Sequence, residues 1–153
     1  MDAAAAPTAG VLRAPTDDAE LAGRLRIAVG SLVRWLRQSD PGQLSPAQLS
    51  TLVTVEAHGP LRIGDLATRE RVAAPTMTRL VGVLADAGLV ARDTDPVDGR
   101  GSLVGLSPAG RALLEEIRRE RTSLLVSRLA GLSAADRAAL AAALPALEAL
   151  RAP

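Results

Sequence analysis

The 153-residue chain has no cysteine, phenylalanine or tyrosine, a single histidine and a single tryptophan, and all eighteen of its basic residues are arginine. Without cysteine there can be no disulfide, no thiolate nucleophile and no cysteine-based peroxide sensor. The lone His58 has no neighbouring ligands with which to build a metal site. It precedes Gly59-Pro60 at an expected helix C-terminus, where it is read as capping the last carbonyls. With one histidine and carboxylates spread over helix surfaces, no acid–base pair stands out, so an enzyme is disfavoured. No metal or cofactor is implied. No apolar run approaches the ~18 residues of a membrane span, which makes a soluble cytoplasmic protein the expectation. Residues 1–16 are rich in alanine and proline, with Asp2 where a signal peptide would be basic, and are expected to form a disordered arm.

The near-absence of aromatics, 1% of residues and all of it Trp35, means that the core must be built from Leu, Val and Ala. Small side chains gain buried area through closely packed helices and through surface buried in a partner subunit. Leu21, Leu25, Ala28, Val29, Leu32, Val33 and Leu36 form one stripe of a long helix over 17–38. A second helix starts at Ser45-Pro46, an N-cap followed by proline, and ends before Gly59. A third spans about Pro108 to Ala130, with Leu113, Leu114, Ile117, Leu124, Leu125 and Leu129 inward. The last, over 133–150, has Ser133 as N-cap, Leu140, Leu144, Leu147 and Leu150 on one face, and Pro145 expected to kink or shorten it.

Between these helices lies the informative stretch, Arg62 to Gly110. Ile63, Leu66 and Ala67 recur at helical spacing and leave Arg62, Asp65 and Arg69 outward. After a turn at Glu70 to Ala74, Pro75 suits the first turn of a second helix, because its missing N–H would have no intrahelical partner there. Met77, Leu80, Val81 and Leu84 share the inward face, and Gly88 stands where a left-handed residue would end the helix. Left outward near the N-terminal end are Thr76, Arg79 and Val83. A hydroxyl, a guanidinium and an apolar tip suit a major groove, where arginine holds guanine bidentately and an apolar tip meets a thymine methyl. Next come Leu89-Val90-Ala91-Arg92 and Leu103-Val104-Gly105-Leu106, two β-prone runs flanking a polar, glycine-containing tip. In that tip Arg100 lies between two glycines with Asp98 positioned to orient it, which suits a narrow minor groove. A helix-turn-helix followed by a two-stranded wing is a DNA-reading device.

In this order of elements the chain resembles the MarR family of bacterial transcriptional regulators. The likeness rests on Pro75-Thr76-Met77-Thr78-Arg79-Leu80-Val81, Ala87-Gly88-Leu89-Val90, Asp95-Pro96-Val97-Asp98-Gly99-Arg100 and Leu106-Ser107-Pro108-Ala109-Gly110, and it covers roughly residues 17–150. It implies a mainly α fold with a small β-hairpin wing. A winged helix-turn-helix over about 45–107 would be flanked by dimerisation helices over about 17–38 and 108–150, all in one domain, 17–153. It also implies DNA contacts at Arg62, Pro75, Thr76, Thr78, Arg79, Asp98 and Arg100. Thr76 and Arg79 would read bases, Arg100 would enter the minor groove, and the Arg62 helix would lie on the phosphate backbone. Gly99 departs from the pattern, since many relatives carry two adjacent arginines at that place.

The function so implied is a homodimeric repressor of an inverted-repeat operator in double-stranded DNA, released by a small, often aromatic or phenolic, effector. Trp35 could line an effector crevice or belong to the core, and the residues name no ligand pocket. Charge alone would not have suggested DNA: formal net charge is +1, and from Arg62 to Arg111 seven arginines face six acids. That balance keeps an alternative open, a winged-helix module that binds protein without specific DNA binding.

Overall fold

The computed structural model of the protein describes residues 16–38, 44–94 and 102–150. In chain order these form α1 (Asp18–Arg37), α2 (Pro46–His58), β1 (Leu61–Arg62), α3 (Ile63–Glu70), α4 (Ala74–Asp86), β2 (Val90–Thr94), β3 (Ser102–Leu106), α5 (Pro108–Ala130) and α6 (Ala134–Ala149). The chain divides into two units, Met1–Gln38 and Ser39–Pro153. None of the described helices is long and apolar enough to cross a membrane.

In the first unit, α1 begins at Asp17, whose carboxylate accepts from the Glu20 N–H at 2.8 Å. Its apolar stripe is real as a pattern, yet no residue of α1 is buried, and Leu21, Ile27, Val29, Leu32 and Val33 are exposed. Trp35 is partly buried.

The second unit holds the core. The Ser45 N-cap is stronger than its hydroxyl alone: Gln48 N–H donates to Ser45 Oγ, and Gln48 Oε1 accepts from Ser45 N–H at 2.7 Å, a reciprocal capping box. Helices α2, α3 and α4 pack on one another, and β2, β3 and the start of α5 close over them. Leu52, Leu66, Val81, Leu84 and Val104 are wholly excluded from solvent. The expected two-stranded wing is part of a three-stranded antiparallel sheet in the order β1-β3-β2, with Leu61 opposite Val104 and Val90 opposite Leu106. The two residues of β1 are too short for a period-2 signal. Only their pairing with a strand some forty residues later makes them a strand.

Other expectations are corrected. Among the described residues no hydrogen bond from His58 caps α2, which ends instead with Gly59 N–H donating to Val55 O at 2.8 Å. Pro145 does not shorten α6, which runs through it. In α5 only Gly110, Leu114 and Ile117 are buried. Leu113, Leu124 and Leu125 are partly buried, and Leu129 is exposed. Beyond Ile117 no described residue of α5 is fully buried.

A bidentate ion pair joins α5 to α2. Arg118 Nη1 donates to Glu56 Oε1 at 3.0 Å and Nη2 donates to Oε2. The Arg118 hydrogen bonds hold the Glu56 carboxyl below the ordinary glutamate range. Because the folded value is the lower one, the stabilisation is complete above the unfolded pKa and is lost as pH falls through the folded one. Arg118 is 54% exposed, so screening limits the pair. We expect Glu56→Gln to cost no more than about 1 kcal/mol at neutral pH. In urea titrations across pH the gap to wild type should close below the glutamate range; a gap that persists in acid would show that packing, not charge, is responsible.

Candidate nucleic-acid interface

Helix α4 is the centre of the site, and its two faces are sharply distinguished. Met77, Val81 and Leu84 are buried while Pro75, Thr76, Thr78, Arg79 and Val83 are exposed. The 3.6-residue period produces this division: the apolar positions anchor the helix, and the remaining ones must face solvent. Val83 is 52% exposed, so the apolar tip stands free beside Thr76 and Arg79, as the spacing implied.

The start of α4 differs by one residue from the sequence expectation. Ala73 is the N-cap, Ala74 opens the helix and Pro75 is the second residue. Alanine offers no side-chain oxygen, so no side chain caps this helix. Positive partial charge therefore gathers at an N-terminus beside Thr76, a setting that favours an anionic partner. Thr78 is less available than the motif suggests: its hydroxyl donates to Ala74 O at 2.9 Å and retains only acceptor capacity.

The preceding turn fixes the angle between α3 and α4. Arg71 takes the left-handed conformation (φ 55°), and Val72 N–H donates to Ala67 O at 3.0 Å. A non-glycine residue there is uncommon and is held by the turn around it. From the α2 side, the Thr54 hydroxyl donates to Glu70 at the end of α3. Arg62 is exposed, at the junction of β1 and α3 where it serves as N-cap residue without a side-chain cap bond.

The exit of α4 is tied to α5. Gly88 ends the turn at φ 71°, a conformation open to glycine at no steric cost. Ser107 then does three things: its N–H donates to Leu89 O at 3.1 Å, its hydroxyl donates to Gly88 O at 2.6 Å, and its oxygen accepts from Gly110 N–H at 2.9 Å. The orientation of α4 is thereby coupled to the first turn of α5.

The structure thus brings Pro75, Thr76, Thr78 and Arg79 onto one solvent face of α4. Asp98 and Arg100 lie outside the described residues. Arg92, which sequence reasoning left out of the site, is exposed on β2 with its guanidinium close to Gly82 of α4.

Known proteins share both pattern and shape. Residues 44–102 match the model of the MarR family. An uncharacterized HTH-type transcriptional regulator of Mycobacterium leprae is 46% identical over 121 residues, 78% of this chain and 85% of that one. A crystal structure of a Pseudomonas aeruginosa protein described as a transcriptional regulator is 36% identical, covers 89% of this chain and 97% of that one, and superposes with a TM-score of 0.75. A mutant MepR of Staphylococcus aureus bound to an oligodeoxyribonucleotide has the same fold at 22% identity, covering 86% of this chain and 98% of that one, TM-score 0.68.

Proposed function

The chain belongs to the MarR family of HTH-type transcriptional regulators, and from that premise we propose that it is a homodimeric repressor that reads an inverted-repeat operator in double-stranded DNA and is released by a small-molecule ligand. As a family member it is a DNA-binding transcriptional regulator. The observation that carries the finer reading is the exposed row Thr76, Arg79 and Val83 on a helix whose opposite face is fully anchored. Arg79 can hold a guanine edge bidentately, Thr76 can hydrogen-bond a base, and Val83 can meet a thymine methyl. Pro75 and Thr78 border this row. Arg62 is assigned to the phosphate backbone. Asp98 and Arg100 are assigned to the minor groove on the sequence pattern.

The near-balance of charge between Arg62 and Arg111 bears on mechanism. Non-specific attraction for one subunit is modest, so useful affinity depends on base contacts and on two subunits acting together. Dimerisation is supported by apolar surface left uncovered in each unit. Along α5 and α6, Val126, Leu140, Leu144 and Leu150 are 60%, 46%, 54% and 71% exposed. Leu129, Leu140, Ala141, Leu144 and Leu147 line an apolar groove of about 290 Å³ there. Such a surface suits an interface with a second copy of the chain. A dimer would set two α4 helices into successive major grooves about 34 Å apart. Leu144→Asp is expected to yield monomer in sedimentation velocity and to lose operator affinity; a dimer of wild-type affinity would remove this face from the interface.

The deciding experiment is fluorescence-anisotropy titration of the duplex upstream of the chain's own gene, with random duplex as competitor, across a salt series. Binding that resists competitor and weakens with salt supports the repressor. Equal, weak binding to both duplexes would count against specific reading. A panel of small aromatic and phenolic compounds added to the preformed complex tests release.

A further inference from the structure

Arg92 sits in β2 opposite Val104, a fully buried residue. Directly opposed residues share one face of a sheet, so Arg92 leaves the hairpin on its core side, the side on which β2 meets α4. It is nevertheless exposed. The long side chain passes the edge of the core and reaches α4, where its Nη2 lies 3.9 Å from the place a Cβ on Gly82 would occupy.

Gly82 is three residues beyond Arg79. A glycine inside a helix is unfavourable relative to alanine, and no backbone approach demands one here: among the described residues, the helix's own backbone and Gly82's chain neighbours aside, what lies within 4 Å of that position is the Arg92 guanidinium. What the glycine does supply is a helix surface with no side-chain acceptor beneath the guanidinium. Asp86, one turn further along α4, does not pair with Arg92, and among the described residues no hydrogen bond or ion pair engages it. A guanidinium is a five-donor fork suited to phosphate oxygens, and this one is held beside the reading face without a partner among the described residues.

We propose that Arg92 is a phosphate-binding residue at the seam between α4 and the wing, left available for DNA by Gly82. The proposal rests on the DNA-reading assignment of α4. On it, Arg92 positions the recognition helix on the duplex and carries no sequence preference.

The test is anisotropy titration of the upstream duplex and a random-sequence duplex across a salt series, with wild type, Arg92→Gln, Arg92→Lys and Asp86→Asn. Arg92→Gln should weaken binding to both duplexes by the same factor, between about threefold and tenfold per subunit at ~0.1 M salt, and flatten the log–log salt slope by about one per subunit. Arg92→Lys should keep the slope, and Asp86→Asn should bind at least as well as wild type. Melting temperatures of the free proteins should agree. An unchanged slope in Arg92→Gln, a loss confined to the upstream duplex, or Asp86→Asn behaving like Arg92→Gln would overturn the proposal; the last would place Arg92 in an intramolecular ion pair. Failure of wild type to bind any duplex would sink the DNA-reading assignment itself, a result distinguishable because it appears before any variant is compared.

Discussion

Gly110→Ala is expected to destabilise the protein by about 3 kcal/mol or more, the largest effect expected among the described glycines. A Cβ at Gly110 would stand 2.1 Å from Leu89 O and 2.9 Å from Leu106 Cδ1. Leu106 could turn aside, but Leu89 O is backbone and already accepts the Ser107 N–H. Relief therefore requires the first turn of α5 to move away from the start of β2. That would pull on the Gly88 and Ser107 bonds that tie the exit of α4 to α5. Gly30→Ala, in α1 with open space around the added Cβ, is the control and should be neutral or slightly stabilising. Urea titration of both variants is the measurement. A Gly110→Ala protein within about 1 kcal/mol of wild type would mean that the helix and strand do not approach as described.

Arg79→Ala is expected to leave stability within about 0.5 kcal/mol of wild type, since the side chain is exposed. It should remove about 1–3 kcal/mol of operator affinity per half-site, and about twice that for a dimer engaging both. The loss should be concentrated at one base position per half-site, which relaxes preference there. Competition against duplexes substituted at each position gives the readout. If operator and random duplex weaken equally, Arg79 is a phosphate contact and base reading passes to Thr76 and Val83. Arg92→Gln gives the complementary pattern, so the two variants together separate specificity from grip.

Much of the site was legible because its signals are local. Ser45 and Ser133 cap helices with their own hydroxyls, and Gly88 ends its turn at a positive φ. Such features depend on a few adjacent residues. The division of α4 into anchored and exposed faces follows from period alone, so Thr76, Arg79 and Val83 could be picked out before any coordinates. Thr78 could not be judged in this way, because whether a threonine hydroxyl turns back to the carbonyl four residues earlier is a rotamer choice. Nor could His58, whose position at a helix end is local but whose hydrogen bonding is not.

The sequence by itself determined the order of the helices and of the hairpin, most of their ends and the outward row on α4, since periodicity, caps and turn residues act over a few positions of chain. Tertiary structure decided what depends on partners remote in sequence. It made a strand of Leu61–Arg62 by pairing them with β3, and it required glycine at position 110 by bringing Leu89 within reach. It also left the later turns of α5 at most partly buried and all of α6 exposed and laid Arg92 over Gly82. An apolar stripe tells that a face seeks cover. Whether the same chain supplies that cover is settled only when the elements are placed.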